Sequence, residues 1–160
     1  MTKIKIIQIL IIAMCLLGLA VSIYLYKLDL KVEKLDQQNP QDFKIAPCDI
    51  NAWISCSAVA KSEYSEIANV KVALMGIAGY ITLLILFIVF LIYRKLKLLY
   101  LFAAIALFGA IFSTYLTGLE LSVINAICPW CVVSNVLMLL ILGLGIYLYY
   151  RFRKMETKYR

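Results

Sequence analysis

Five cysteines and no histidine set the chemistry open to this chain of 160 residues. Cys48 and Cys56 stand eight positions apart, and Cys128 and Cys131 enclose a Cys-Pro-Trp-Cys segment. Proline has the φ of a helix start and lacks the N–H that would be unsatisfied there. Pro129 therefore predicts a helix with Cys128 as its N-cap and Cys131 in its first turn. The partial positive charge at a helix N-terminus favours thiolate over thiol and so makes an attacking sulfur. The three-residue offset also permits a disulfide that opens and closes. Without histidine, Ser-His-Asp and Cys-His catalysis, haem ligation by His and mixed Cys/His zinc sites are excluded. The chemistry that remains is thiol–disulfide exchange, in which a thiolate attacks through a mixed disulfide.

Composition says what must position these sulfurs. Hydrophobic residues make up 64% of the chain, and charged residues only 16%, against about 25% in a soluble domain. That leaves too little polar surface for a soluble globule, and too much apolar surface for a disordered chain. Four apolar runs of membrane length predict transmembrane helices at about 6–26, 72–93, 98–119 and 131–150. Tyrosine and tryptophan mark their ends, as expected at headgroup depth: Tyr24, Tyr26, Tyr93, Tyr100, Tyr115, Trp130, Tyr147, Tyr149 and Tyr150. The first run is longer than a signal-peptide core and closes on no small-x-small site, so it reads as a retained anchor. The expected fold is an all-α integral membrane protein: one domain over 1–160, a bundle of four transmembrane helices with an outer loop at about 27–71. Within that loop, Gln37 to Gln41 reads as a turn or linker, and Ser57 to Lys71 as one short surface helix.

Lys and Arg placement orients the bundle. The N-terminus, the connection at Arg94–Lys97 and the C-terminal tail carry ten basic residues against Glu156 alone, a balance of +9. The other side has six basic residues against eight acidic ones, a balance of −2. Both termini are therefore expected in the cytoplasm, and the net +7 is a topology signal rather than a nucleic-acid footprint. Cys48, Cys56, Cys128 and Cys131 then share the extracytoplasmic side, where disulfides persist. Cys15 falls inside the first helix and reads as a small buried hydrophobe. The four outer cysteines admit three pairings, and two other uses stand beside exchange: a structural zinc site and a pair of inert staples. No G-x-G-x-x-G follows a strand. A dithiol at a helix end on the membrane surface suits a two-electron carrier that diffuses in the bilayer, such as a quinone.

Several blocks resemble the bacterial branch of the vitamin K epoxide reductase family. They are Phe112 to Leu116, Glu120-Leu121, Val123 to Ser134, Cys48-Asp49-Ile50, Ser55-Cys56-Ser57 and Ala73 to Tyr80, with Gly18, Ser22, Tyr24 and Leu25. The resemblance runs from about Gly18 to Tyr150. It implies a bundle around a quinone of the ubiquinone, menaquinone or vitamin K type, capped by the cysteine loop and fed by a secreted thioredoxin-fold partner. By the same resemblance, Cys48 exchanges with the partner's dithiol and Cys56 passes electrons to Cys128. Cys131 then attacks or reduces the quinone, through a transient thiolate–quinone adduct.

Ser62 matches a family Ser/Thr near the quinone, though a helix cap or solvated hydroxyl is its plainer use. The vertebrate branch holds the vitamin K carbonyls with an Asn and a Tyr, where Val72 and Asn135 stand here. That departure disfavours epoxide reduction. It leaves Asn135, one turn after Cys131, as a substitute donor or as a helix–helix contact. The family's Gly-x-Pro before the second helix reads Asn69-Val70-Lys71. Many members carry a fused thioredoxin domain, and a chain stopping at Arg160 predicts a separate partner. The expected function is a quinone-dependent thiol oxidoreductase that reoxidises an extracytoplasmic disulfide oxidase. The alternatives are a vitamin K (epoxide or quinone) reductase serving the quinone cycle, and a disulfide-stapled scaffold without catalysis.

Overall fold

The computed structural model describes residues 2–38, 46–51, 53–67 and 70–158. The helices are α1 (Thr2–Gln38), the short α2 (Cys56–Ala60), α3 (Val72–Tyr93), α4 (Leu96–Leu119) and α5 (Pro129–Lys158). A 3₁₀ turn at Glu63–Ser65 and two antiparallel strands, β1 (Glu66–Ile67) and β2 (Val70–Lys71), complete the loop before α3. Four of the helices are long and apolar enough to cross a membrane. They pack in a ring, α1 against α3 and α5, and α4 against α3 and α5.

Each helix turns a stripe at three- and four-residue spacing into a common core. Tyr80, Leu83, Phe87 and Phe90 of α3 meet Leu99, Phe102, Ala106 and Ala110 of α4, with Met138, Ile141 and Leu148 of α5 and Ile11 and Cys15 of α1. Large apolar side chains such as Ile9, Leu17, Ile92 and Ile111 point outward instead. Apolar residues on both faces are what a lipid solvent requires. At Gly18 a Cβ would collide with the Tyr80 ring, so glycine sets how closely α1 approaches α3.

The structure extends three of the four predicted transmembrane helices and recasts the loop between the first and the second. The apolar run of α3 coincides with the helix predicted from it, but α1 continues to Gln38 instead of ending near 26. Leu25, Leu28 and Val32 form an apolar edge on this extension, and they pack against Ala46, Cys48, Cys56 and Cys128. The charged residues between them hide an amphipathic helix that stands as a post beside the cysteines. Gln37 and Gln38 therefore close a helix, and the rest of the expected turn lies outside the described residues. Ser57 to Lys71 is not one helix. Only Cys56–Ala60 is helical, and the chain then turns into the β1–β2 hairpin. The hairpin places Lys71 where its Nζ meets Asp29, Glu33 and Glu66, each at 3.0 Å. Burial would lower the Lys71 pKa, but the three carboxylates outweigh it and raise it. Finally, α4 and α5 outrun their predicted ends, α4 through a π-helical turn at Glu120–Ile124 and α5 from Pro129 to Lys158.

The cysteine loop folds around Asp49, a buried carboxylate. Its Oδ1 accepts from the Ser55 hydroxyl at 2.9 Å and the Ser57 amide at 3.0 Å. Its Oδ2 accepts from the Ala46 amide at 2.8 Å and the Ser57 hydroxyl at 2.5 Å. Asn51 Oδ1 accepts from the Trp53 and Ile54 amides and turns the chain back. Ser55 caps α2, its Oγ accepting from the Ala58 amide at 3.1 Å. Burial would raise the Asp49 pKa, but the bonds from Ser57, Ala46 and Ser55 prevail and hold it at about 2. Its folded value lies below the unfolded value of about 3.9. The stabilisation is therefore complete above pH about 4 and is lost as pH falls through about 2. The size of the shift corresponds to about 2 kcal/mol. Asp49→Asn is expected to remove about that much and to leave donors unpaired. Maleimide labelling of Cys128 at neutral pH should then be faster than in the parent, whose own thermal stability should fall as pH drops from about 4 towards 2. Equal, slow labelling in both proteins at neutral pH would show that Asp49 does not hold the loop.

Candidate active site

The loop meets the start of α5 through backbone. Ile54 and Ile127 form a parallel bridge: the Ser55 amide donates to Ile127 O at 3.2 Å, and the Ile127 amide donates to Trp53 O at 2.7 Å. Cys56 follows two residues after Ile54, and Cys128 one residue after Ile127. The bridge thus brings two sulfurs 72 positions apart to an Sγ–Sγ distance of 3.3 Å. Cys56 is disulfide-bonded to Cys48. Cys128 and Cys131 are free thiols, the first buried and the second half-buried.

α5 begins at Pro129, which puts Cys128 at the N-cap position. The Val132 amide donates to Cys128 O at 3.1 Å, the first helical bond. Hydrogen bonding from the Cys131 thiol, then from the Cys131 and Trp130 amides, lowers the Cys128 pKa below that of an ordinary thiol, against burial and the nearby Glu120 carboxylate. This is the helix-start activation expected from Cys-Pro-Trp-Cys. Cys128 is therefore itself an acidic thiol, and it has a disulfide sulfur within reach.

Cys131 lines a cavity of about 310 Å³ between α1, α3, α4 and α5, together with Cys128 and Cys56. That is at the low end of the about 300–1,000 Å³ of small-molecule sites. The walls are largely apolar, among them Leu83, Ile105, Phe112 and Met138, with Ser62, Ser134 and Glu120 among the polar groups that join the cysteines in lining it. An apolar cavity lined also by thiols and hydroxyls fits a flat, lipid-soluble ring with polar oxygens. Cys48, Cys56, Cys128 and Cys131 thus comprise a disulfide, a thiol against it, and a second thiol that also lines the cavity.

The two other residues singled out from sequence part company. Ser62 lines the cavity, while its hydroxyl donates to Val59 O at 2.7 Å. Asn135 is not among the lining residues. Its Oδ1 accepts from Thr114 Oγ1 of α4 at 3.3 Å, a helix–helix contact. On α5 the positions three and seven after Cys131, Ser134 and Met138, line the cavity instead. The Tyr80 hydroxyl donates to Ser134 O and lies 3.0 Å from Ser134 Oγ.

Three site residues were not assigned a role from sequence: Asp49, Glu120 and Tyr80. Asp49 and Tyr80 lie within blocks that carried the family resemblance, without a chemical reason attached. Glu120 stood in such a block too, Glu120-Leu121, and otherwise counted only as charge, although an ionisable residue ending a membrane-length apolar run is itself a pointer. Glu120 is buried, and its Oε2 accepts from the Cys128 amide at 3.0 Å.

A search of curated proteins found no match. The model of the vitamin K epoxide reductase family matches residues 9–146, a span that includes Cys48, Cys56, Cys128, Cys131 and Glu120. The chain belongs to the vitamin K epoxide reductase family, whose members are membrane thiol oxidoreductases that work with a quinone.

Proposed function

We propose that this protein oxidises the dithiol of a separate extracytoplasmic thioredoxin-fold protein and delivers the two electrons to a membrane quinone. The observation that carries the reading is the 3.3 Å approach of Cys128 to the Cys48–Cys56 disulfide. It joins an outer redox pair to the inner pair at the cavity. The basic residues of the Arg94–Lys97 connection and the α5 tail lie at the end of the bundle away from the cysteines. That placement supports cytoplasmic termini and extracytoplasmic sulfurs.

The electrons balance in three exchanges. A partner thiolate attacks Cys48 and breaks the Cys48–Cys56 bond. The partner's second thiol then resolves the mixed disulfide, leaving the partner oxidised and Cys48 and Cys56 reduced. Cys56 next attacks Cys128 of a Cys128–Cys131 disulfide, and Cys48 resolves that intermediate. This re-forms the outer disulfide and leaves Cys128 and Cys131 reduced, the state described above. Closing the Cys128–Cys131 bond finally releases two electrons and two protons. A quinone supplies the two-electron acceptor for that step. Cys131 stands at the cavity to deliver the electrons, and Ser62 and the Tyr80–Ser134 pair offer hydroxyls at its walls. Asn135, engaged with Thr114, is a weaker choice for holding the acceptor.

Epoxide reduction is disfavoured. Val72 lines the cavity with no donor, and Asn135 is turned to α4. The inert scaffold is disfavoured because a free thiol rests against the disulfide. In membranes given reduced partner and quinone, Cys131→Ser is expected to bring quinone reduction to background while the partner is still oxidised once, stoichiometrically, by the outer disulfide. Cys48→Ser is expected to abolish oxidation of the partner. Normal quinone reduction by both variants would contradict the relay, and robust turnover of vitamin K epoxide with a dithiol would favour the quinone-cycle reading.

A further inference from the structure

Glu120 is the acid nearest the dithiol, and it is 3% exposed. It opens the π-helical turn that ends α4, and the Ala126 amide folds back onto its carbonyl at 3.2 Å. That reversal aims the carboxylate at the start of α5. Its Oε2 accepts from the Cys128 amide at 3.0 Å, it interacts with the Cys131 thiol, and it lines the cavity together with both cysteines.

Holding the Cys128 amide needs an acceptor but no charge, and a glutamine would serve. Closing the Cys128–Cys131 bond needs more, because two thiol protons must leave a buried site in a chain with no histidine. The other titratable groups along the cavity are committed elsewhere. Cys56 is in a disulfide, Asp29 is paired with Lys71 at 3.0 Å, the Tyr80 hydroxyl is bonded to Ser134, and Tyr64 is partly exposed on the 3₁₀ turn. A base must lie within reach of the proton it takes, and Glu120 meets that condition.

We propose that Glu120 is the proton-transfer residue of the dithiol step, resting on the quinone reading above. Its carboxylate takes the proton from Cys131 Sγ as that sulfur turns nucleophilic. It then passes the proton to an acceptor oxygen as the sulfur–sulfur bond closes. The Cys128 proton follows by the same route once the carboxylate is free. Two thiols thereby lose two electrons and two protons, and a quinone gains both as the hydroquinone.

The test uses the full chain in membranes, reduced and without quinone. Iodoacetamide modification of Cys131 is followed against pH by peptide mass spectrometry. Cys128→Ser is present in every protein of this alkylation arm, because a neighbouring thiol would itself add a coupled step; a thiol sharing its site with a titrating carboxylate alone then ionises in two coupled steps. The expected profile is biphasic in the parent and in Glu120→Asp, and a single step in Glu120→Gln. Quinone reduction by Glu120→Gln is expected to fall by about 100-fold or more, in line with loss of a positioned acid–base group, with Glu120→Asp closer to the parent. A merely structural acceptor predicts that Glu120→Gln keeps both the parent's profile and its rate to within about threefold, and that result would overturn the proposal, as would a single-step profile in the parent. Should Glu120→Gln not fold, the parent and Glu120→Asp profiles decide alone. Should the parent reduce no quinone, the proposed function fails, while the alkylation profiles still judge Glu120.

Discussion

The rest of the molecule depends on a short piece of backbone pairing. The Ile54–Ile127 bridge fixes the cysteine loop to the residues just before α5, and in doing so sets Cys56 against Cys128. Disulfide exchange needs the attacking sulfur close to the sulfur it attacks. Two loops free to move would meet that geometry rarely. Here the post formed by the end of α1, the Lys71 tether and the Asp49 hydrogen bonds all act on the same loop. Each removes a freedom that would otherwise separate the sulfurs.

A bundle built for lipid has few polar groups to spend on chemistry, and it places them by using backbone. The start of α5 points its amides at the Cys128 sulfur, and Glu120 accepts from the Cys128 amide. Asp49 ties together the loop that carries the other sulfur pair. The charged groups near the sulfurs are thus carboxylates held by amides and hydroxyls. An imidazole is not required for activation when a helix N-terminus is available.

The fold was largely legible because its causes are local. Apolar runs of membrane length mark α3 and most of α1, α4 and α5, and Pro129 marks where α5 begins. The far end of α1 was not, because Lys27, Asp29 and Lys31 between Leu25, Leu28 and Val32 look like a loop until something packs on that edge. Ser57 to Lys71 misled in the opposite sense: helical composition gave way to a hairpin that brings Lys71 to three carboxylates. At the site, cysteine spacing and the Cys-Pro-Trp-Cys pattern carry the chemistry in the residues themselves. Asn135 and Ser134 show the limit of such reading. They are adjacent in sequence on α5, and only helix packing decides that Ser134 lines the cavity while Asn135 turns to Thr114. Asp49 and Glu120 were visible as charges, but their roles arise from amides and hydroxyls brought in by the fold.

The central claim is that electrons cross between the two cysteine pairs through Cys56 and Cys128. It is tested most directly by leaving only those two of the four outer cysteines. In the Cys48→Ala, Cys131→Ala double variant, mild oxidation in membranes followed by peptide mass spectrometry should find Cys56 and Cys128 joined in one disulfide in nearly every molecule. Two thiols that stay reduced or pair between molecules, in a variant that still assembles in the membrane, would contradict it.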